Sequence, residues 1–480
     1  MKNIFCKTDI LIIGSGPAGS LSGYEILKKK KLKVIILEQG KQKPDFVKPY
    51  SSDEMDIGYY KSGLTPAFGK GNIVYAIANC VGGGSEINSG FFFNFPKHLL
   101  NSWKKKISFL NYYELNKNIN NIKKNLNIVL DKKNEGLSSK VLLKGSKKLK
   151  LRSEAVPRWI KSSKINNKWS HKRYGMTETY IKMFKKKGGI IIKEIRAKKI
   201  IKFAKNKNEE IVVECIKNNK KIFIKTKYLI CCGGAIFTPL FLRKSNIKEN
   251  IGNTLMMHQM TRVVAKFKDE INEDKFGVPI RQINHFKPKM TFGCSVSGKE
   301  HIGLWMSDEN NLNQIIKNYK KYSIYYSLIN SSSKGKVLDL PFLDEPYVFY
   351  NLSKNDLKNH FLGLKRLSRI LFRGGAQEIF FSKGNLGNET KTSFKNYNEV
   401  VQFLENKKNY IPEVSSIHLF SSVSMGKSKE DPLDSYGKLK KFTNIYVNDS
   451  SMLPSTTGVN PQGIIMSMAK RNINNLVKYL

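Results

Sequence analysis

"DILIIGSGPAGSLSGYEILKKKKLKVIILEQG" runs from Asp9 to Gly40. "DILIIG" is a short continuous apolar run, the pattern of a strand buried on both faces. "GSGPAG" follows, with Gly14, Gly16 and Gly19 at G-x-G-x-x-G spacing. The first glycine permits a tight turn. The second lets backbone approach a pyrophosphate, and the third lets a helix pack closely on the strand. A helix from Pro17 and Ala18 to about Lys30 aims its N-terminal N–H groups and dipole at the phosphates. "KVIILE" reads as a second parallel strand ending in Glu38, about 20 residues past the glycines, where an acid can bond a ribose 2′-hydroxyl. Strand, glycine turn, helix, strand and acid in this order imply dinucleotide binding. These residues alone leave FAD and NAD equally open.

The chain has 480 residues, room for two or three domains at about 150 residues each. It is 40% hydrophobic and 11% aromatic, enough to bury a large core and to exclude disorder by composition. The formal net charge is +46. Such a surplus raises nucleic acid or an anionic membrane surface as partners. The lysines are scattered along the whole chain, however, and Asn and Ile are abundant too, as an AT-rich coding sequence would produce. No reading module or Arg-rich patch points to nucleic acid, and no nucleic-acid partner is expected.

Six cysteines, Cys6, Cys80, Cys215, Cys231, Cys232 and Cys294, show no metal-ligand spacing, and no metal site is expected. Adjacent Cys231 and Cys232 in an apolar run read as reduced core residues. "MKNIFCKTDILIIG" runs straight into the first strand without a signal-peptide pattern. No apolar run reaches ~18 residues, so no transmembrane segment is expected. The expected compartment is the cytoplasm.

Three further stretches narrow the reading. "NCVGGGSEINSGFFF" (Asn79–Phe93) has three glycines that let backbone lie flat against a planar ligand, followed by the amide of Asn88. "YLICCGGAIFTPLFLRKSNI" (Tyr228–Ile247) reads as a strand, a Gly233–Gly234 turn and a helix beginning near Thr238–Pro239. "IHLFSSVSMG" (Ile417–Gly426) precedes "NIYVNDSSMLPSTTGVNPQGIIMSMAKR" (Asn444–Arg471), a strand ending in Asp449, a loop, and a last helix opened by Asn460–Pro461.

On these motifs the sequence resembles the glucose–methanol–choline (GMC) flavoprotein oxidoreductases. "GGGSEIN" and "GGAIFTPLFLRKSNI" look like the family's two signatures. "GNTLMMHQ" (Gly252–Gln259) looks like the segment after the second, and Tyr350–Ala376 like a substrate-domain stretch. The resemblance implies an α/β fold: an FAD-binding Rossmann-like domain of the glutathione-reductase type, plus an α+β substrate domain with an antiparallel sheet. The expected FAD-binding domain is discontinuous, 1–95, 185–262 and 415–480. The substrate-binding domain is then 96–184 and 263–414. The half-exposed patterns Thr261–Asp269 and Glu345–Ser353 are expected as strands of that sheet, and Lys354 to about Phe372 as a helix behind it. Residues 96–174 match nothing in the family and read as helical cap.

The resemblance also implies roles. Gly14, Gly16, Pro17, Ala18, Gly19 and Glu38 match the ADP-binding part. Gly83, Gly84, Ser85 and Asn88 match the loop along the flavin. Gly234 and Asp449 lie beside the dinucleotide, and Asn460, Pro461 and Gln462 form the helix N-terminus facing the flavin ring. His418 matches the catalytic histidine and Asn460 its partner. A neutral histidine suits accepting the alcohol proton while hydride leaves the carbon, and an amide can hold the substrate oxygen. The implied reaction is oxidation of a CH–OH group, of the sugar or polyol kind, to a carbonyl, with hydride passing to flavin N5. A dehydrogenase is favoured over an oxidase, and the electron acceptor stays open.

Two departures matter. Ser421–Ser422 stands where the family commonly has Gly-Thr. Ile87 stands where members with covalent FAD carry His, so non-covalent FAD is expected. Two alternatives remain: a non-redox lyase of the hydroxynitrile type on the same fold, and a basic polyanion-binding protein with a vestigial flavin site. His258 reads as structural.

Overall fold

The structure, a computed structural model, describes residues 4–131, 135–165, 168–206, 209–272, 278–307, 309–386, 392–407 and 409–480. The opening apolar run belongs to a strand, Ile4–Ile13, whose neighbours explain its composition. Val34–Leu37 and Lys220–Cys231 pair with it in parallel on either side, and Ile10, Leu11 and Ile12 are fully buried. Among the described residues this sheet has seven strands. Ile190–Ile192 extends it in parallel beyond Val34–Leu37. Ile211–Lys217 and Ile195–Lys202 follow Lys220–Cys231 as an antiparallel meander, and Ile445–Val447 pairs in parallel with its C-terminal half.

The first helix is Pro17–Leu27, shorter than the spacing implies. Lys28 to Lys31 are four like charges in a row with no apolar face to bury, so the helix stops where they begin. The later helix also departs from expectation. It is Gly234–Lys244, beginning at the glycine turn and enclosing Pro239. Proline brings no N–H to the carbonyl four residues earlier. That carbonyl, Ala235, instead accepts from the Ser422 hydroxyl at 2.7 Å, and this keeps the helix intact.

A second sheet has eleven described strands, and Met256–Lys266 is its hub. Tyr322–Asn330 runs antiparallel along one edge of it, while Leu419–Phe420, Glu413–Ser416 and Glu378–Phe381 share the other. The Thr261–Asp269 pattern is therefore not half-exposed. Val263 and Ala265 pack on Leu364, Leu367 and Leu371 of helix Lys354–Gly374, and Val264 packs oppositely on Ile302 and Ile315. That helix lies behind the sheet as expected, capped by Ser353, whose hydroxyl accepts from Asp356 N at 3.0 Å. Tyr347–Phe349 is a strand of a separate two-stranded sheet with Lys336–Leu338, not of the large one. The segment still abuts the large sheet: Phe68, which follows its edge strand Thr65–Ala67, donates its N–H to the Val348 carbonyl at 2.8 Å and accepts from Tyr350 N at 2.7 Å, an isolated bridge that does not extend into a ladder.

Residues 96–174 supply helices Lys97–Lys104, Tyr112–Asn125 and Leu137–Lys148 and a strand pair, Ile160–Ile165 with Lys168–Arg173. Tyr112–Asn125 packs on the last helix, Gln462–Leu476, where the Ser467 hydroxyl donates to the Leu115 carbonyl at 2.9 Å. All six cysteines are free thiols. Among the described residues no helix is long and apolar enough to cross a membrane, and no group of three His, Cys, Asp or Glu could hold a metal ion.

Candidate active site

Leu37, Ile13, Cys231 and Val447 stand in register across four parallel strands. The chain leaves the sheet there at Glu38, Gly14, Cys232 and Asn448, so the strands' carboxyl ends open on one place. Ligands of open α/β sheets bind at that edge. A cavity of about 330 Å³ lies there. Gly14, Gly16, Pro17, Ala18, Glu38, Gly83, Gly84, Asn88, Gly234, His418, Asp449, Asn460, Pro461 and Gln462 all line it. Gly19 and Ser85 do not. A side chain at Gly19 would collide with the Gly14 carbonyl, so this glycine serves helix–strand packing. Ser85 is turned away, its hydroxyl 2.9 Å from the Gly82 carbonyl and receiving Met176 N–H at 2.9 Å.

Glu38 is fixed from both sides. Its Oε2 accepts from the Ser15 hydroxyl at 2.6 Å and its Oε1 from Gly40 N at 2.8 Å. Burial pushes its pKa up, against the pull of these hydrogen bonds. The Ser15 hydroxyl also accepts from Gly82 N at 2.9 Å, so one serine ties the acid to the second glycine loop. Ser15 is an unspecified position of the fingerprint, and nothing in the sequence marks it.

Asp449 braces the third turn. Its Oδ2 accepts from Gly234 N at 2.8 Å and from the Thr238 hydroxyl at 2.6 Å, and its Oδ1 from the Ser451 hydroxyl at 2.5 Å. Its pKa too is raised by burial.

The far end of the cavity carries the candidate chemistry. His418 Nδ1 lies 3.2 Å from Nδ1 of His258, which is fully buried on the Met256–Lys266 strand. His258 Nε2 receives the backbone N–H groups of Thr457 at 3.2 Å and Gly458 at 3.0 Å. His258 thus joins His418 to the loop that delivers Asn460. Burial lowers the pKa of His418 to about 4, and burial with the neighbouring His418 ring lowers that of His258 well below its usual value. Both rings are neutral at physiological pH. Asn460 Oδ1 accepts from Gln282 Nε2 at 3.3 Å, and Gln282 also reaches the Tyr326 hydroxyl at 2.7 Å. Asn88 donates to Gln462 Oε1 at 2.9 Å, bringing two sequence-marked residues together. Helix Gln462–Leu476 starts here with no acid in its first turn, so its N-terminal dipole is uncompensated.

The cavity suits a planar, phosphate-bearing ligand in contact with backbone. Gly14, at φ +102°, admits no side chain, because a Cβ would collide with the Cys232 carbonyl. Cβ atoms added to Gly84 or Gly234 meet no protein atom within 4 Å, so the open space there adjoins bare backbone. The fold and this cradle define a dinucleotide-binding α/β protein.

The GMC oxidoreductase family models match residues 8–260 and 336–469. The chain belongs to the GMC oxidoreductase family, and its cofactor is FAD. It is 29% identical over 482 residues to "uncharacterized GMC-type oxidoreductase y4nJ" of Sinorhizobium fredii, covering 97% of this chain and 94% of that protein. It is 24% identical to the long-chain-alcohol oxidase FAO4B of Arabidopsis thaliana, over 96% of this chain and 66% of the plant protein. Among solved structures, pyridoxine 4-oxidase from Mesorbium loti superposes with a TM-score of 0.71 at 14% identity, covering 97% of this chain and 98% of that one. Formate oxidase of Aspergillus oryzae RIB40 superposes with a TM-score of 0.74 at 12% identity, covering 100% and 99%.

Proposed function

We propose that this chain oxidises an alcohol at its CH–OH carbon to a carbonyl, with FAD held non-covalently and His418 and Asn460 placed at the substrate oxygen. One observation carries the reading: His418 and Asn460 line the same cavity as the glycine cradle, at the N-terminus of the last helix. Bound FAD supplies the acceptor for hydrogen leaving with its electron pair. The protein's own groups do the rest. Asn460, held by Gln282, offers an amide to the substrate oxygen. The helix dipole favours negative charge arriving at its N-terminus. His418 faces the same oxygen. Its sequence position implies that it receives the hydroxyl proton, a role that needs an unprotonated Nε2.

The 24% identity to a long-chain-alcohol oxidase over 96% of this chain supports an alcohol with an apolar body, set against the sugar or polyol implied by the sequence resemblance. The proposed division is a flavin lobe of 1–95, 185–262 and 415–480 and a substrate lobe of 96–184 and 263–414.

The test is an anaerobic visible spectrum of the FAD-loaded protein, before and after aliphatic, aromatic and polyhydric alcohols. Bleaching by one class establishes the reaction and its substrate. The rate of recolouring in air then distinguishes an oxidase from a dehydrogenase. A flavin that no alcohol bleaches overturns the reading.

A further inference from the structure

The loop between strands Lys336–Leu338 and Tyr347–Phe349 reads "DLPFLDEP", residues 339–346. Its tip turns back on itself, with Leu343 N–H donating to the Leu340 carbonyl at 3.2 Å. Pro341 stands second in this turn and Phe342 third, at φ +65°. A proline second and a positive φ third mark a type II turn, whose third place suits Gly or Asn. Phenylalanine fits that backbone poorly. It fits water poorly too: Phe342 is 109% exposed, and Leu340 and Leu343 are exposed beside it.

The flanks of the tip are pinned to basic residues. Asp339 meets Arg243 Nε at 2.8 Å, Asp344 meets Lys198 at 2.6 Å, and Glu345 meets Arg196 at 2.9 Å. Lys244 donates to the Leu343 carbonyl at 3.0 Å, and Lys248 lies 4.0 Å from Asp339. Five cations against three carboxylates leave two positive charges around the tip, in a chain of net charge +46. A convex tip of three apolar side chains falls far short of the ~800 Å² per partner that a stable protein interface buries. It is complementary to a bilayer with anionic headgroups, where a basic collar meets the headgroup charge and an apolar tip enters beyond it.

We propose that this loop docks the protein on a bilayer containing anionic lipid. Leu340, Phe342 and Leu343 enter the boundary between headgroups and acyl chains, and the surrounding cations face the lipid phosphates. The contact is interfacial. It takes both signals, because a single weak anchor gives only marginal membrane binding.

The test sediments the full FAD-loaded chain with vesicles of phosphatidylcholine alone and of phosphatidylcholine with one-third phosphatidylglycerol. The mixed vesicles should carry the protein down, and phosphatidylcholine alone should not. A chain of charge +46 can adsorb to anionic lipid by charge alone, so the deciding variant keeps every charge. Phe342→Asn suits the positive φ and should fold at least as well as wild type, judged by flavin content and urea midpoint. It should bind the mixed vesicles ~10-fold or more weakly, the scale for withholding one large apolar side chain. Equal binding by wild type and Phe342→Asn overturns the proposal. So does wild type that ignores the mixed vesicles, or that binds both kinds equally.

Phe342→Trp reports depth. Brominated acyl chains should quench this variant beyond the quenching of the four tryptophans already in the chain. No added quenching places the tip outside the bilayer and overturns insertion. If wild type dimerises without lipid and Phe342→Asn does not, the tip joins two copies of the chain and the proposal fails.

Discussion

The Ser422 hydroxyl donates to the Ala235 carbonyl, the one carbonyl of helix Gly234–Lys244 that Pro239 leaves without an i+4 donor. Ser422 replaces the threonine common in the family, and either hydroxyl could fill this place. Ser422→Ala leaves a buried carbonyl unpaired and should cost about 1–3 kcal/mol. Pro239→Ala returns the missing N–H, so the two changes together should cost less than the sum of each alone. Urea unfolding of the four proteins in this double-mutant cycle checks it. Strict additivity would mean that serine and proline are not coupled.

Gly84 and Gly14 separate ligand contact from folding. An alanine methyl at Gly84 meets no protein atom within 4 Å and enters the cavity. Gly84→Ala should therefore keep wild-type stability as apoprotein and lose FAD affinity, measured by flavin retention on dialysis. Gly14→Ala should fail earlier, because its Cβ collides with the Cys232 carbonyl and its φ of +102° disfavours any side chain. Retention of FAD by Gly84→Ala would remove this loop from the cofactor's path.

The nucleotide end of the site is legible in the sequence because its rules are local. Three glycines, a strand and an acid lie within one βαβ unit, and the backbone geometry demands those residue types at that spacing. The same holds for the N-terminus of the last helix. The rest depends on contacts between distant segments. His258 and His418 are 160 residues apart, and Ser15 becomes a bridge only once the second glycine loop folds onto the first. Thr238 reads as a helix start and turns out to be a ligand of Asp449 inside the helix. The half-exposed pattern of the hub strand misleads for a similar reason. Periodicity records one covered face, whereas helices pack on both.

The histidine pair should make stability fall with acid. Burial holds the His418 pKa at about 4 and, with the adjacent ring, keeps that of His258 low. In the unfolded chain both protonate below about pH 6.5. The unfolded state then binds more protons, so the pair's contribution is fully present above about pH 6.5 and is lost as pH falls toward 4. Wild type should lose more of its urea midpoint between about pH 7 and about pH 5 than a His258→Gln/His418→Gln double variant. Carboxylates common to both proteins cancel in this comparison. Equal losses would show that the rings protonate freely in the folded state.

Denaturing the holoprotein in acid should release all of its flavin. Ile87 lines the cavity, and by the sequence resemblance it stands where members with covalent FAD carry a histidine. Cys80 and Cys232 also line the cavity and are the nearest alternatives for a covalent link. Burial raises both of their pKa values, so both remain thiols, and a thiol is a poor nucleophile. Absorbance of the supernatant after precipitation should account for the whole flavin content, with a colourless pellet. Colour that stays with the protein, and is lost in Cys80→Ser or Cys232→Ser, would instead identify a cysteinyl flavin.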